Sequence, residues 1–283
     1  MALPLALAGQ PVKGDTSMHG QAPTSTKAKV EVDASHRYGD LVVHEDLRFS
    51  VTANEFVCIC GPSGCGKTTL LDMLAGILKP SRGQILIDGA PADPKQQSIS
   101  FVFQEPSTFP WLNVRDNVAT GLRIKGAGRA EIDAKVREIV EIVGLGGFEN
   151  YYPHQISGGM KQRVAIARAF ATDADLILMD EPFVSLDQPT RERMQREVLD
   201  IWRHRRRTVI FVTHNLEEAV FLGDRILILS AKPARIVAEL PVQLARPRDP
   251  LSSEFMALRA QCMQWLHAPG GGDQSARALN PDG

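Results

Sequence analysis

Two stretches of this sequence have the residue types and spacing to hold phosphate. Gly61-Pro62-Ser63-Gly64-Cys65-Gly66-Lys67-Thr68 fits G-x-x-x-x-G-K-[ST] and directly follows an apolar run, Phe56–Cys60, that reads as a strand. Glycines let such a loop wrap close to phosphate oxygens. The amides from Ser63 to Thr68 then point inward, Lys67 reaches the β- and γ-phosphates of a nucleoside triphosphate, and the Thr68 hydroxyl ligates Mg2+. Thr69 adds an α-phosphate contact. The second stretch, Ile156-Ser157-Gly158-Gly159-Met160-Lys161-Gln162-Arg163, opens a helix with Ser157 at the cap. Free backbone amides and the positive end of the helix dipole converge there, so it also suits an anion. One chain thus carries one nucleotide cradle and a second anion-binding helix start.

Carboxylates complete the first site. Leu176-Ile177-Leu178-Met179 ends in Asp180-Glu181-Pro182, which puts two acids at the C-terminal edge of a buried parallel strand, where ligands bind in such sheets. Neighbours on a strand point opposite ways, so the acids divide the work: Asp180 holds Mg2+, and Glu181 orients or deprotonates the attacking water. Two further strands end in a residue able to touch a γ-phosphate. Phe101-Val102-Phe103 leads to Gln104, and Val209–Thr213 leads to His214. A lone His after a strand is often structural, and Asn215-x-x-Glu218 reads as a capping box that turns the chain into a helix just beyond it.

The elements that must position these groups alternate. Strand-like stretches are expected at Leu41–Val43, Arg48–Val51, Phe56–Cys60, Gln84–Ile87, Ser98–Phe103, Leu176–Met179, Thr208–Val212, Arg225–Leu229 and Ile236–Leu240. Several are continuous apolar runs, as in strands covered on both faces. Helical patterns fall at Thr68–Ile77 and at Ala130–Val143, where Ile132, Val136, Ile139, Val140 and Val143 share one stripe. From about Glu105 to Ala171 the pattern is helices and loops, a helical insert in an α/β domain. Residues 1–29, rich in Ala, Gly, Pro, Ser and Thr, read as a disordered leader. Past residue 240, the Pro-broken connector RPRDP precedes a short helix at Ser253–Leu266 and a Gly-rich tail.

Bulk properties narrow the function. Of 283 residues 43% are hydrophobic, enough for a substantial core, and a net charge of −1 argues against a partner held by broad phosphate neutralisation, so no nucleic acid is expected. No apolar run approaches the roughly 20 residues needed to span a bilayer. The start, with no basic segment and with Pro4 in its apolar stretch, does not read as a cleaved signal, and the expected compartment is cytoplasmic. Cys58, Cys60, Cys65 and Cys262 lack zinc-site spacing and read as buried thiols. Arg203-His204-Arg205-Arg206-Arg207 reads as a helix end facing water.

Taken in order, GPSGCGKTT, Gln104, SGGMKQR, LILMDEP, Val184-Ser185-Leu186-Asp187 and His214 resemble the motifs of the ATP-binding subunits of ABC transporters, over about residues 30–240. The resemblance implies a P-loop ATPase fold with a mostly parallel sheet, an antiparallel β subdomain and the helical insert. It also implies ATP and Mg2+ as ligands and a head-to-tail homodimer, in which Ser157, Gly158 and Gly159 of one subunit close over the γ-phosphate in the other's cradle. By matching position, Tyr38 stacks on adenine, Gln104 senses Mg2+, His214 contacts the γ-phosphate, and Asp187 lies at the dimer seam; Val184 stands where the family commonly has Ala. Glu105-Pro106, Phe109-Pro110-Trp111-Leu112-Asn113-Val114 and the RPRDP connector resemble the ATPases of importers for nitrate, taurine and alkylsulfonates. That branch implies two integral membrane permease subunits, an extracytoplasmic solute-binding protein and a place on the cytoplasmic face of the plasma membrane, with Phe109, Pro110 and Trp111 as a surface for a permease helix. The other reading is a soluble ABC-type ATPase that remodels a cytoplasmic complex.

Overall fold

The computed structural model describes residues 28–267; residues 1–27 of the expected leader and the tail past 267 lie outside the described residues. Val30, Val32 and Ala34 are buried while Glu31 and Asp33 between them are exposed, the pattern of a sheet with one wet face. They belong to β1 (Ala28–Tyr38), which pairs antiparallel with β2 (Leu41–Thr52). β1 is absent from the strand expectations, and β2 joins two expected short strands into one. The polar run His44-Glu45-Asp46 that separates those two in sequence is absorbed by register shifts around the His36↔His44 pair, with Asp46 at φ 48°.

β3 (Phe56–Cys60), buried throughout, enters the centre of a second sheet. The Gly61–Thr68 loop follows, and α1 (Lys67–Leu74) buries Leu70, Leu71, Met73 and Leu74 between the two sheets. β4 (Arg82–Ile87) and β5 (Ala90–Pro91) complete the antiparallel sheet, in the order β2-β1-β4-β5. After β6 (Ile99–Val102) come α2 (Val114–Ile124), α3 (Arg129–Ile142) and α4 (Gly158–Ala171), with no strand before β7 (Leu176–Asp180). The chain then alternates through α5 (Gln188–Arg205), β8 (Thr208–Thr213), α6 (Leu216–Leu222) and β9 (Arg225–Leu229) before β10 (Ile236–Pro241) and α7 (Ser253–His267). The second sheet has the order β10-β9-β3-β8-β7-β6 and is parallel except for β10.

Both faces of this sheet are covered, which explains the unbroken apolar runs. Phe56, Cys58, Val209 and Phe211 face the helical side, whereas Val57, Ile59, Ile210 and Val212 face α1 and the antiparallel sheet. Each large apolar side chain so buried contributes about 1.5–3 kcal/mol. In register, Cys60 is opposite Thr213 and Asp180 is opposite Val212. The carboxyl ends of β3, β8 and β7 therefore form one edge, and the loops leaving it carry the groups that could do chemistry.

Two expectations change. The basic run does not simply face water: Arg205 bonds Asp173 at 2.7 Å and Glu138 at 2.9 Å, and Arg207 lies 3.6 Å from Asp175, tying the end of α5 to α3 and the α4–β7 loop. RPRDP is more than a connector. Arg248 is buried and donates to the carbonyls of Val220, Phe221 and Gly223, gathering the C-terminal end of α6, and also reaches Val242 and Leu244. The four cysteines are free and buried, and burial holds their thiols above the ordinary range.

Candidate functional site

Gly66 sits at φ 109°, a left-handed conformation open to glycine. A Cβ there would lie 2.5 Å from Val43 Cγ1 and 2.7 Å from His44 Nε2, so the loop is pressed against β2 at this point. His44, wholly buried, has its Nε2 3.0 Å from the Gly66 carbonyl oxygen. Burial lowers its pKa to about 4, with His36 and Lys232 adding to the effect, so the ring is neutral at pH 7 and Nε2 donates.

At the start of α1, Lys67 is buried and its Nζ donates to the carbonyls of Gly61 at 3.0 Å and Pro62 at 3.2 Å. Glu181 Oε1 lies 3.5 Å from that ammonium. The Thr68 hydroxyl donates to Asp180 Oδ2 at 2.7 Å, which joins the loop after β3 to the end of β7. Burial raises the Asp180 carboxyl above its usual range, and the Thr68 hydroxyl pulls it partly back. Glu181 stands one residue past the strand at φ 43°, a turn that separates its direction from that of Asp180. Its Oε2 is 2.7 Å from His214 Nδ1.

Gly66, Lys67, Thr68, Glu181 and His214 line one open cavity of about 500 Å3, together with Ser63, Gly64, Thr69, Gln104, Val184 and Lys232; Asp180 reaches it through Thr68. Gln104, Glu181 and His214, distant in sequence, thus line the same cavity as Ser63, Lys67 and Thr68 of the phosphate loop. Lys232 is the addition. It belongs to no motif, and only its position before Pro233 in the β9–β10 turn marks it; Ala234 pins that turn beside the cradle by donating to Val43 O at 2.8 Å and accepting from Glu45 N at 3.0 Å. Cys65 points away into the core, leaving its backbone to serve the loop.

Other candidates stand apart. Ser157, Gly158 and Gly159 do not line this cavity. Ser157 and Gly158 are exposed, Ser157 Oγ accepts from Met160 N at 3.2 Å as the cap of α4, and a Cβ on Gly158 would meet nothing within 4 Å. Asp187 caps α5 through Thr190 N at 3.3 Å. Tyr38 is 51% exposed at the end of β1, with its ring edge-on to His36 at 4.7 Å. The expected aromatic surface divides: Asn117 fixes the backbone of Phe109, Arg168 lies 5.1 Å over its ring, and Trp111 remains 70% exposed. The capping box after His214 does not form. Asn215 caps α6 through Glu217 N at 2.9 Å, while Glu218 turns inward and accepts from the Thr213 hydroxyl at 2.6 Å.

The family model described as ABC transporter matches residues 44–184. An aliphatic sulfonates import ATP-binding protein, SsuB of Bacillus thuringiensis subsp. konkukian, is 44% identical over 81% of this chain and 90% of that protein. The chain belongs to the ABC transporter family, as an ATPase subunit. This cassette is also 47% identical, over 77% of its length and 84% of the relative's, to a taurine import ATP-binding protein, TauB of Burkholderia thailandensis. A solved dimeric ATP-binding cassette in a post-hydrolysis state, bound to ADP and Pi, superposes with a TM-score of 0.67 at 30% identity, over 76% of this chain and all of that one. The fold is therefore that of a P-loop ABC ATPase.

Proposed function

We propose that this cassette works as a homodimer, closes on ATP and couples hydrolysis to the import of a small anionic solute of the nitrate, alkylsulfonate or taurine type. One observation carries the reading: the cradle and the Ser157-Gly158-Gly159 helix start belong to one chain but face different surroundings. Two head-to-tail copies supply each cradle with its partner's α4 start, so the γ-phosphate is held from both sides. The dimeric cassette at 30% identity and the relatives named for sulfonate and taurine import support this assembly and this use.

Within each half, the Gly61–Thr69 loop and Lys67 bind the phosphates, and Tyr38 stacks on the adenine. Thr68, Asp180 and Gln104 offer hydroxyl, carboxylate and amide oxygens, a hard donor set suited to Mg2+, and the 2.7 Å Thr68–Asp180 contact brings two of them together. Bound there, Mg2+ neutralises phosphate charge. Glu181 orients and deprotonates the attacking water, and His214, bonded to Glu181, holds the γ-phosphate side of that geometry. Asp187 lies at the seam. Loss of the γ-phosphate removes the contacts that bridge the copies, and the dimer opens.

No helix among the described residues is long and apolar enough to cross a membrane. In this reading two permease subunits provide the path, an extracytoplasmic binding protein delivers the solute, and the cassette rests on the cytoplasmic face with Trp111 toward a permease helix. Steady-state hydrolysis and nucleotide affinity test the assignment together. Lys67→Ala loses productive ATP use, whereas Glu181→Gln retains ATP affinity within about threefold and turns over at least 100-fold more slowly, on the order of a lost catalytic base. Normal turnover by Glu181→Gln contradicts its role.

A further inference from the structure

Beside the nucleotide cavity lies a smaller one of about 40 Å3, lined by Glu181, Val184, Arg191, Thr213, His214, Asn215 and Glu218. His214 lies at its edge with a side chain 51% exposed, so little packing fixes the ring, and among the described residues its one side-chain partner is Glu181. The backbone corner between β8 and α6 sets where that ring starts. Thr213 is buried on the helical side of β8, and its hydroxyl accepts from Asn215 N at 3.0 Å while donating to Glu218 Oε2 at 2.6 Å. Asn215 then caps α6 with its own side chain. The residues before and after His214 are therefore both tied to one hydroxyl, and that hydroxyl is oriented by one carboxylate.

Glu218 is itself buried, and its other oxygen has only long partners: Gln195 Nε2 at 3.5 Å and Arg191 Nε at 3.9 Å. A carboxylate kept in such a place is costly to the fold, and a capping role, which would leave it in water, is not the one it takes. We infer that Glu218 is a positioning residue for ATP hydrolysis, fixing the Thr213–Asn215 corner through the Thr213 hydroxyl so that His214 meets Glu181 and the γ-phosphate in register. The inference rests on the ATPase site proposed above.

Steady-state ATPase measurements on Glu218→Ala, Glu218→Gln, Thr213→Val and the Glu218→Ala/Thr213→Val double variant test it. Each single truncation is expected to lower kcat at least tenfold with KM for ATP within twofold, because the phosphate loop is a separate segment. Glu218→Gln, which keeps an oxygen for the Thr213 hydroxyl, is expected within threefold of wild-type kcat. The double variant should be no worse than the poorer single, since both cut one chain of contacts. Wild-type kcat in Glu218→Ala, a loss carried by KM, or a double variant whose loss is the product of the singles overturns the inference. Should Glu218→Ala not fold, Thr213→Val decides alone: a tenfold fall in kcat at unchanged KM supports the inference and wild-type kcat overturns it. Normal turnover in a parallel Glu181→Gln control would instead strike the ATPase assignment beneath it.

Discussion

At the scale of single residues, the letters that read clearly were those whose chemistry admits one use. A Lys at the end of a Gly-rich loop and an acid after an apolar strand line one cavity, with Lys67 3.5 Å from Glu181, and the neighbouring acid Asp180 joins them through Thr68 at 2.7 Å. Glu218 did not read clearly, because the same letter suits an exposed cap and a buried anchor, and only the direction of the side chain distinguishes them. His44 was hidden for a similar reason: nothing in the polar run around it marks the ring as buried against Gly66. That ring has a consequence for pH. Its folded pKa of about 4 lies below the ordinary 6.5, so between those values the unfolded chain binds a proton that the folded chain refuses. The stability it protects is present above pH 6.5 and is lost as pH falls toward 4, by about 2 kcal/mol between pH 7 and pH 5. Urea midpoints of wild type and His44→Gln at both pH values check this: wild type should lose more of its stability than the variant, and equal losses would contradict the buried neutral ring. The titratable groups facing His44, His36 from β1 and Lys232 from the β9–β10 turn, push in the same direction.

At the scale of elements, β3, β7 and β8 were legible because burial on both faces leaves no polar interruption in Phe56–Cys60, Leu176–Met179 and Val209–Val212. β1 and β2 were harder, since one face is wet and the register shifts at His44 break the alternation into fragments. The connector after β10 shows what sequence patterning misses. Pro247 and Pro250 signal a break in regular structure, but not that Arg248 between them reaches three carbonyls at the end of α6. Removing the guanidinium leaves those carbonyls buried without donors. Arg248→Ala is therefore expected to cost about 2–4 kcal/mol, read as a lowered urea midpoint. Arg248→Lys, a single point of charge in place of a planar fork, should recover only part of it. A midpoint unchanged in Arg248→Ala would mean that packing and the Arg246 bond to the Leu222 carbonyl hold the end of α6 without Arg248.

At the scale of the molecule, the nucleotide cradle and the start of α4 lie apart on one chain. Its cradle gathers Lys67, Glu181, His214 and Gln104 on one edge of the sheet, while the α4 start with Ser157 and Gly158 stays exposed and outside that cavity. In the proposed homodimer a second copy closes the nucleotide site, and ATP is part of the interface between the two. The most direct measurement is the solution mass of Glu181→Gln by light scattering, with and without Mg-ATP at saturating concentration. Monomer alone and dimer with nucleotide is the predicted result, because binding persists while hydrolysis no longer reopens the pair. A mass that stays monomeric while ATP is demonstrably bound would contradict the claim that the α4 start completes its partner's site.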